Sequence, residues 1–125
     1  MIVALPTIRT SRADYLSPHF GRAPYFTLAE VQNKNYRIID VVENLHAKHE
    51  HGRGVSVINL LASRGVGAVI TLGIGYGAFT KLRELGIRIY YVEPATHEKL
   101  VSVEEALNML VNNELTEATE PREHD

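Results

Sequence analysis

The sequence predicts an α/β fold: one domain built on a mixed β-sheet with helices on both faces. The first half of the chain has short aromatic and β-branched runs joined by a polar turn, which is typical of antiparallel strands. The second half alternates apolar runs with segments of helical spacing, which is typical of parallel strands joined by helices. With 125 residues, 45% of them hydrophobic, the chain is long enough to bury one core.

Three strands are predicted in the amino-terminal half. Residues 2–5 form an unbroken apolar run ending at Pro6, which predicts a strand buried on both faces. A polar stretch over 7–19 follows and predicts a loop. Residues 25–31 and 36–43 are rich in aromatic and β-branched side chains, and the polar turn between them predicts a hairpin.

The carboxyl-terminal half begins with a helix, a strand and a second helix. Val55, Ile58 and Leu61 have helical spacing, and the apolar run over 66–72 predicts a buried strand. A glycine-rich turn at 73–77 comes next. It leads into a second segment of helical spacing.

The last predicted elements are a strand over 87–92 and a third helix. Ser102 and Glu105 form a capping-box pattern ahead of that helix. We therefore predict one domain over 1–112, followed by an acidic, solvated and flexible tail over 113–125.

The predicted order β-β-β-α-β-α-β-α suits a five-stranded mixed sheet, as in ribonuclease-H-like folds. If the first strand points up, the third, fourth and fifth also point up, so the loops after these four strands emerge at one carboxyl edge. In open α/β sheets, ligands bind at that edge. Five of the six histidines fall in these loops, and His124 in the tail does not; the five are His19, His46, His49, His51 and His97.

The spacing H-x-x-H-x-H predicts a metal site at His46, His49 and His51. Residues two apart in extended chain point to the same side, so His49 and His51 can share one ion, and His46 can join them through a turn. Neutral imidazole suits iron, nickel, copper and zinc. The alternative is a solvated loop that happens to be rich in histidine. His19 is predicted to be either a metal ligand or a histidine whose ring packs against the ends of the strands.

Two further features favour the binding of an anionic ligand at the same carboxyl edge of the sheet. A helix is predicted to start near Gly54, and Arg22, Lys48 and Arg53 lie near it in sequence. For these basic side chains, plain solvation is the alternative.

Gly73, Gly75 and Gly77 form the second feature, a turn at the start of the second helix. It lacks the lysine and hydroxyl of a P-loop, but its backbone offers a wall for a binding pocket. The alternative is that the glycines only permit a tight strand-to-helix turn.

Composition excludes several classes of function. A net charge of -2 and a pI near 6.3 do not suit nucleic-acid binding. No apolar run approaches the roughly 20 residues that span a bilayer, and no signal peptide is visible, so we expect a cytoplasmic protein. Because the chain has no cysteine, thiolate metal sites and disulfides are excluded within it.

The sequence does not predict an enzyme. A ribonuclease-H-type nuclease needs carboxylates on its central strands to hold magnesium, and the runs 2–5 and 66–72 contain none. No serine or threonine has an evident histidine–carboxylate partner. Binding is the function that these residues favour.

Three segments resemble the nitrogenase iron–molybdenum cofactor biosynthesis family, which includes NifX-type carrier proteins. Residues 17–26, Ser-Pro-His-Phe-Gly-Arg-Ala-Pro-Tyr-Phe, are similar to the family signature S-x-H-F-G-R-A-x-x-F. The loop through His51-Gly52 and the turn at 73–77 are similar to two further family segments, with Leu72 in place of the first glycine of the turn.

The resemblance implies a ribonuclease-H-like fold and a non-catalytic domain that binds a preformed iron–molybdenum or iron–sulfur type cluster. It also implies partner proteins that donate the cluster to this domain or accept the cluster from it. Without cysteine, such a cluster must be held by histidine or cradled as an anion. A metal-free sensor of small anions and a protein-interaction domain are the alternative readings. The sequence does not indicate an oligomeric state.

Overall fold

A computed structural model describes residues 1–47, 53–93 and 100–122, with the backbone alone for 53–55. Within these ranges the chain forms seven strands and three helices. In chain order these are β1 (Ile2–Arg9), β2 (Asp14–Leu16), β3 (Tyr25–Gln32), β4 (Asn35–Glu43), α1 (Arg53–Ser63), β5 (Val66–Thr71), α2 (Tyr76–Glu84), β6 (Arg88–Tyr91), α3 (Val103–Val111) and β7 (Thr116–Glu117).

The strands form one mixed sheet in the order β4-β3-β1-β5-β6-β7, and β2 pairs with the end of β1. Strand β5 is parallel to both β1 and β6, whereas β3 is antiparallel to both β1 and β4. The carboxyl ends of β1, β4, β5 and β6 therefore lie at the same edge of the sheet. The predicted α/β fold and its mixed sheet are confirmed. The likeness to ribonuclease-H-like folds stays a prediction.

The sheet has seven strands and not the predicted five, because two short strands, β2 and β7, were not predicted. Strand β2 has three residues and β7 has two, too few for any period in the sequence to stand out. Strand β1 also continues past Pro6 to Arg9, because β2 pairs with its last three residues.

Two buried clusters cover opposite faces of the sheet. The first packs α1 and α2 against the sheet, through residues such as Leu61 and Leu82. The second packs α3 against the other face, through residues such as Leu107. Neighbouring residues of β5 divide between the clusters, because alternate side chains of a strand point to opposite faces: Val69 lies in the first and Ile70 in the second. Helices on both faces are thus confirmed.

Part of the predicted tail pairs with the sheet at residues 116–118, whereas most of the other described residues after 112 are exposed. The flexible tail over 113–125 stays a prediction. Strand β7 pairs antiparallel with β6, and the Ala118 N–H donates to the Ile89 carbonyl at 2.7 Å. Ala118 is buried in the first cluster, although glutamates surround it in sequence. A single small apolar residue among charges gives no visible signal, yet it anchors this edge. No helix of the described ranges is long and apolar enough to cross a membrane.

Candidate functional site

The carboxyl edge of the sheet carries three described loops that contain predicted site residues. The segment 17–24 leads from β2 into β3, whose first residue Tyr25 pairs with Thr7 near the end of β1. The segment 44–47 follows β4, and 72–75 follows β5. All three begin or end where β1, β4 and β5 reach this edge, as the topology predicted.

His19 is fixed by a compact turn. The Ser17 hydroxyl accepts from the His19 backbone N–H at 3.2 Å and donates to the His19 carbonyl at 3.0 Å. The next residue, Phe20, is buried and packs edge-to-face on Phe26, with ring centroids 5.4 Å apart. Because Phe20 anchors the loop to the core, the half-buried His19 is held at the edge of the sheet.

Arg22 and His19 form a polar pair at this edge. Arg22 is exposed, and its Nη2 lies 3.1 Å from Nδ1 of His19. The same guanidinium nitrogen lies 3.4 Å from Nε2, so it lies beside both nitrogens of the ring. The pair therefore places a permanent positive charge next to an imidazole, a side chain that can bind metals.

Asn44 ties the loop of His19 to the loop of His46. Its side chain is buried, and Nδ2 donates to the carbonyls of Gly21 at 3.1 Å and Ala23 at 2.8 Å. Its Oδ1 accepts from the His46 N–H at 3.0 Å. Two bonds of one amide thus join segments more than twenty residues apart, and the third bond holds the turn of the His46 loop. Sequence reasoning had not assigned Asn44 a role.

His46 is half-buried, and the remainder of the predicted metal set lies outside the described residues. That remainder comprises His49 and His51, together with Lys48, and the side chain of Arg53 is outside as well. The H-x-x-H-x-H metal site therefore stays a prediction. Within 1–47, 53–93 and 100–122, no group of three or more histidine, aspartate or glutamate side chains is arranged to hold a metal ion. His97 and His124 also lie outside these ranges.

The glycine turn joins β5 to α2. Gly73 is buried, and its N–H and carbonyl both bond to the Thr71 hydroxyl, at 3.4 and 3.0 Å. Gly75 precedes α2 and offers no side-chain cap to its first turn. Gly77 is exposed, and a Cβ built there would meet nothing within 4 Å. Open space therefore lies beside Gly77, in the first turn of α2, whereas Gly73 is buried.

The turn and the His19 loop share one buried cluster. Ile74, at the centre of the turn, is 2% exposed and belongs to the same cluster as Phe20 and Phe26. The turn and the His19 loop therefore pack on the same face of the sheet, and the strand directions bring both to its carboxyl edge. Their role as a binding site stays a prediction.

A cavity of about 560 Å³ lies beside β6 and β7, on the side of the sheet opposite β4. Tyr91, Met109 and Arg122 are among its lining residues, and none of the predicted site residues lines it.

Comparisons with known proteins agree with this architecture. An uncharacterized protein of Methanocaldococcus jannaschii is 33% identical over 103 residues, which cover 82% of this chain and 84% of that protein. A solved structure of a Thermotoga protein proposed to be a NifB protein is 30% identical, with a TM-score of 0.71 over 93% of this chain and 91% of that one.

A third similarity concerns the fold alone. The apo form of the orange protein from Desulfovibrio gigas is 22% identical, with a TM-score of 0.79 over 97% of this chain and 95% of that one. The family model described as dinitrogenase iron-molybdenum cofactor matches residues 1–113, nine-tenths of the sequence. The chain therefore belongs to the dinitrogenase iron-molybdenum cofactor family, as a NifB/NifX-like domain.

Proposed function

We propose that this chain is a non-catalytic carrier that binds a preformed iron–molybdenum or iron–sulfur type cluster at the carboxyl edge of its sheet and passes it on. The observation that supports this most is the pair of hydrogen bonds that the Asn44 side chain donates to the Gly21 and Ala23 carbonyls. They hold the loop of His19 and Arg22 against the loop that begins the histidine-rich segment. A site assembled from separate loops on a rigid sheet is typical of ligand binding.

The chemistry of the edge suits a cluster that carries negative charge. Imidazole is the ligand type available, because the chain has no cysteine. We propose His46, His49 and His51 as metal ligands, with His19 close by. The exposed Arg22 and the uncapped first turn of α2 supply positive electrostatic potential for an anion.

A carrier must also contact the proteins that donate and accept its cargo. Leu45 and Tyr76 are each 74% exposed, and they lie in the His46 loop and at the start of α2. Apolar side chains with this exposure can contact another protein. We propose these two side chains as contacts for a cluster donor or acceptor.

The test is metal counting after anaerobic expression with iron and molybdate. We expect the parent protein to retain iron or molybdenum, and the triple variant with His46, His49 and His51 changed to alanine to lose most of it. His124→Ala is the matched control, since it removes a histidine near the end of the sequence. Equal metal in the parent and the triple variant would reject histidine ligation.

Metal retention should also depend on pH. A ligating imidazole must be neutral, so protonation competes with the metal. We expect retention to weaken between about pH 7.5 and about pH 5.5, the range in which histidine ordinarily gains its proton. A flat profile over this range would contradict imidazole ligation.

A metal-free sensor of small anions is the second candidate. The Arg22–His19 pair favours it, because the exposed Arg22 offers a permanent positive charge to an anion. The discriminating result is a colourless, metal-free protein, purified anaerobically, whose melting temperature rises with an organic anion and not with iron.

A further inference from the structure

One arginine outside the family-matched residues contacts the glycine turn from several directions. The backbone of Arg122 pairs with that of Ile74, with N–H to carbonyl distances of 2.9 Å in one direction and 2.6 Å in the other. Its guanidinium donates to the Leu72 carbonyl at 2.7 Å and to the Val92 carbonyl at 3.3 Å. Arg122 thus holds residues on both sides of Gly73.

The guanidinium is itself held in place by two side chains. It lies over the ring of Tyr91, 4.3 Å from the centroid, and forms an ion pair with Glu93. The Tyr91 hydroxyl donates in turn to the Glu120 carbonyl at 2.9 Å, two residues before Arg122. The side chain therefore has a fixed orientation, with one face on an aromatic ring.

These contacts need arginine chemistry. A guanidinium is planar, carries five donors in a fork and stacks on an aromatic face, so it can serve two carbonyls and a carboxylate together. Lysine presents a compact ammonium that reaches fewer of these partners in one orientation. Leu72 and Val92 follow the last residues of β5 and β6, so Arg122 also joins the ends of two neighbouring strands.

We propose that Arg122 is a positioning residue for the glycine turn of the cluster site. The strand β7 and Ala118 bring the end of the chain along the sheet edge, and Arg122 then fixes Leu72 and Ile74 in the geometry that opens the first turn of α2. Arg122 does not touch the cargo. The effect of Arg122 on cluster binding rests on the proposed function, whereas the effect of Arg122 on the glycine turn does not.

The test compares Arg122→Ala and Arg122→Lys with the parent by amide hydrogen exchange and by metal retention. We expect the Ile74 amide to exchange about tenfold faster in Arg122→Ala, because charged hydrogen bonds that hold its neighbour are lost. Arg122→Lys should rescue little of this protection, although it keeps the charge. Arg88→Ala is the matched control, since it removes an arginine–glutamate pair between β6 and β7 without touching the turn.

The outcomes separate the two proposals. Unchanged exchange at Ile74 in both Arg122 variants would overturn the positioning role. Full protection in Arg122→Lys would also overturn it, because charge alone would then suffice. Faster exchange together with a severalfold drop in retained metal supports both proposals. Faster exchange, with a parent protein that holds no metal, supports the positioning role and rejects the carrier function.

Discussion

Replacing Asn44 by alanine is expected to lower the free energy of unfolding by about 2–4 kcal/mol. The side chain makes three hydrogen bonds and Asn44 is 5% exposed, so the variant would leave the Ala23 carbonyl unpaired at a buried position and the Gly21 carbonyl and His46 N–H unpaired at partly buried ones. Each such bond contributes about 1 kcal/mol, and a buried polar group left unpaired costs about 1–3 kcal/mol. A domain with about 5–15 kcal/mol of stability still folds after this loss.

The variant Asn44→Asp separates hydrogen-bond geometry from size. The carboxylate keeps the acceptor for the His46 N–H, but its second oxygen faces the Gly21 and Ala23 carbonyls in place of a donor. Burial and these two acceptors both disfavour the charged form, so the pKa of the new aspartate is raised in the folded state. A raised folded pKa means that the variant gains stability as pH falls, relative to Asn44→Ala.

Urea unfolding at about pH 7 and about pH 4.5 measures both effects. Asn108→Ala is the matched control, because Asn108 is exposed on α3, and its replacement should change stability by no more than about 0.5 kcal/mol. If Asn44→Ala is as stable as Asn108→Ala, Asn44 does not hold the two loops together. Parallel pH dependences of Asn44→Asp and Asn44→Ala would refute the donor assignment.

Three further changes test other parts of the structure. Phe20→Ala should cost about 3–4 kcal/mol in urea unfolding, because it empties a buried site under the His19 loop; a loss below about 1 kcal/mol would contradict that anchoring. Ser102→Ala should cost about 1 kcal/mol by removing the cap that accepts from the Glu105 N–H, and unchanged helix α3 stability would count against it. Arg64→Gln should raise the pKa of Asp40, which a hydrogen bond from Arg64 holds below its ordinary value; an NMR titration that shows no movement would disprove this cause. Since the pKa is depressed, any stability from this exposed pair is present above the ordinary aspartate pKa and lost as pH falls through the folded value.

The sheet could be predicted because its main strands carry strong local signals. Aromatic and β-branched runs mark β3 and β4, and helical spacing between apolar runs marks the parallel part around β5. Strand directions then follow from chain connectivity, since hairpins reverse direction and helical crossovers preserve it. This is why the sequence predicts which loops lie at the carboxyl edge.

The bracing of the site could not be predicted, because it depends on contacts between distant segments. Asn44 bonds to residues 21 and 23, and nothing in its sequence neighbourhood indicates those partners. Arg122 lies among glutamates, which suggest a solvated tail, yet its contacts reach Leu72 and Tyr91. Whether a short segment such as β7 forms a strand depends on the sheet edge that it pairs with, and not on its own β-propensity.

The location of the cargo is tested most directly by amide NMR spectra of the protein before and after anaerobic loading with iron and molybdenum. The carrier proposal predicts that signal shifts and paramagnetic broadening concentrate in residues 17–24, 44–47 and 72–77. Changes that centre on the turn at residues 33–34, which joins β3 to β4 at the opposite end of the strands, would contradict it.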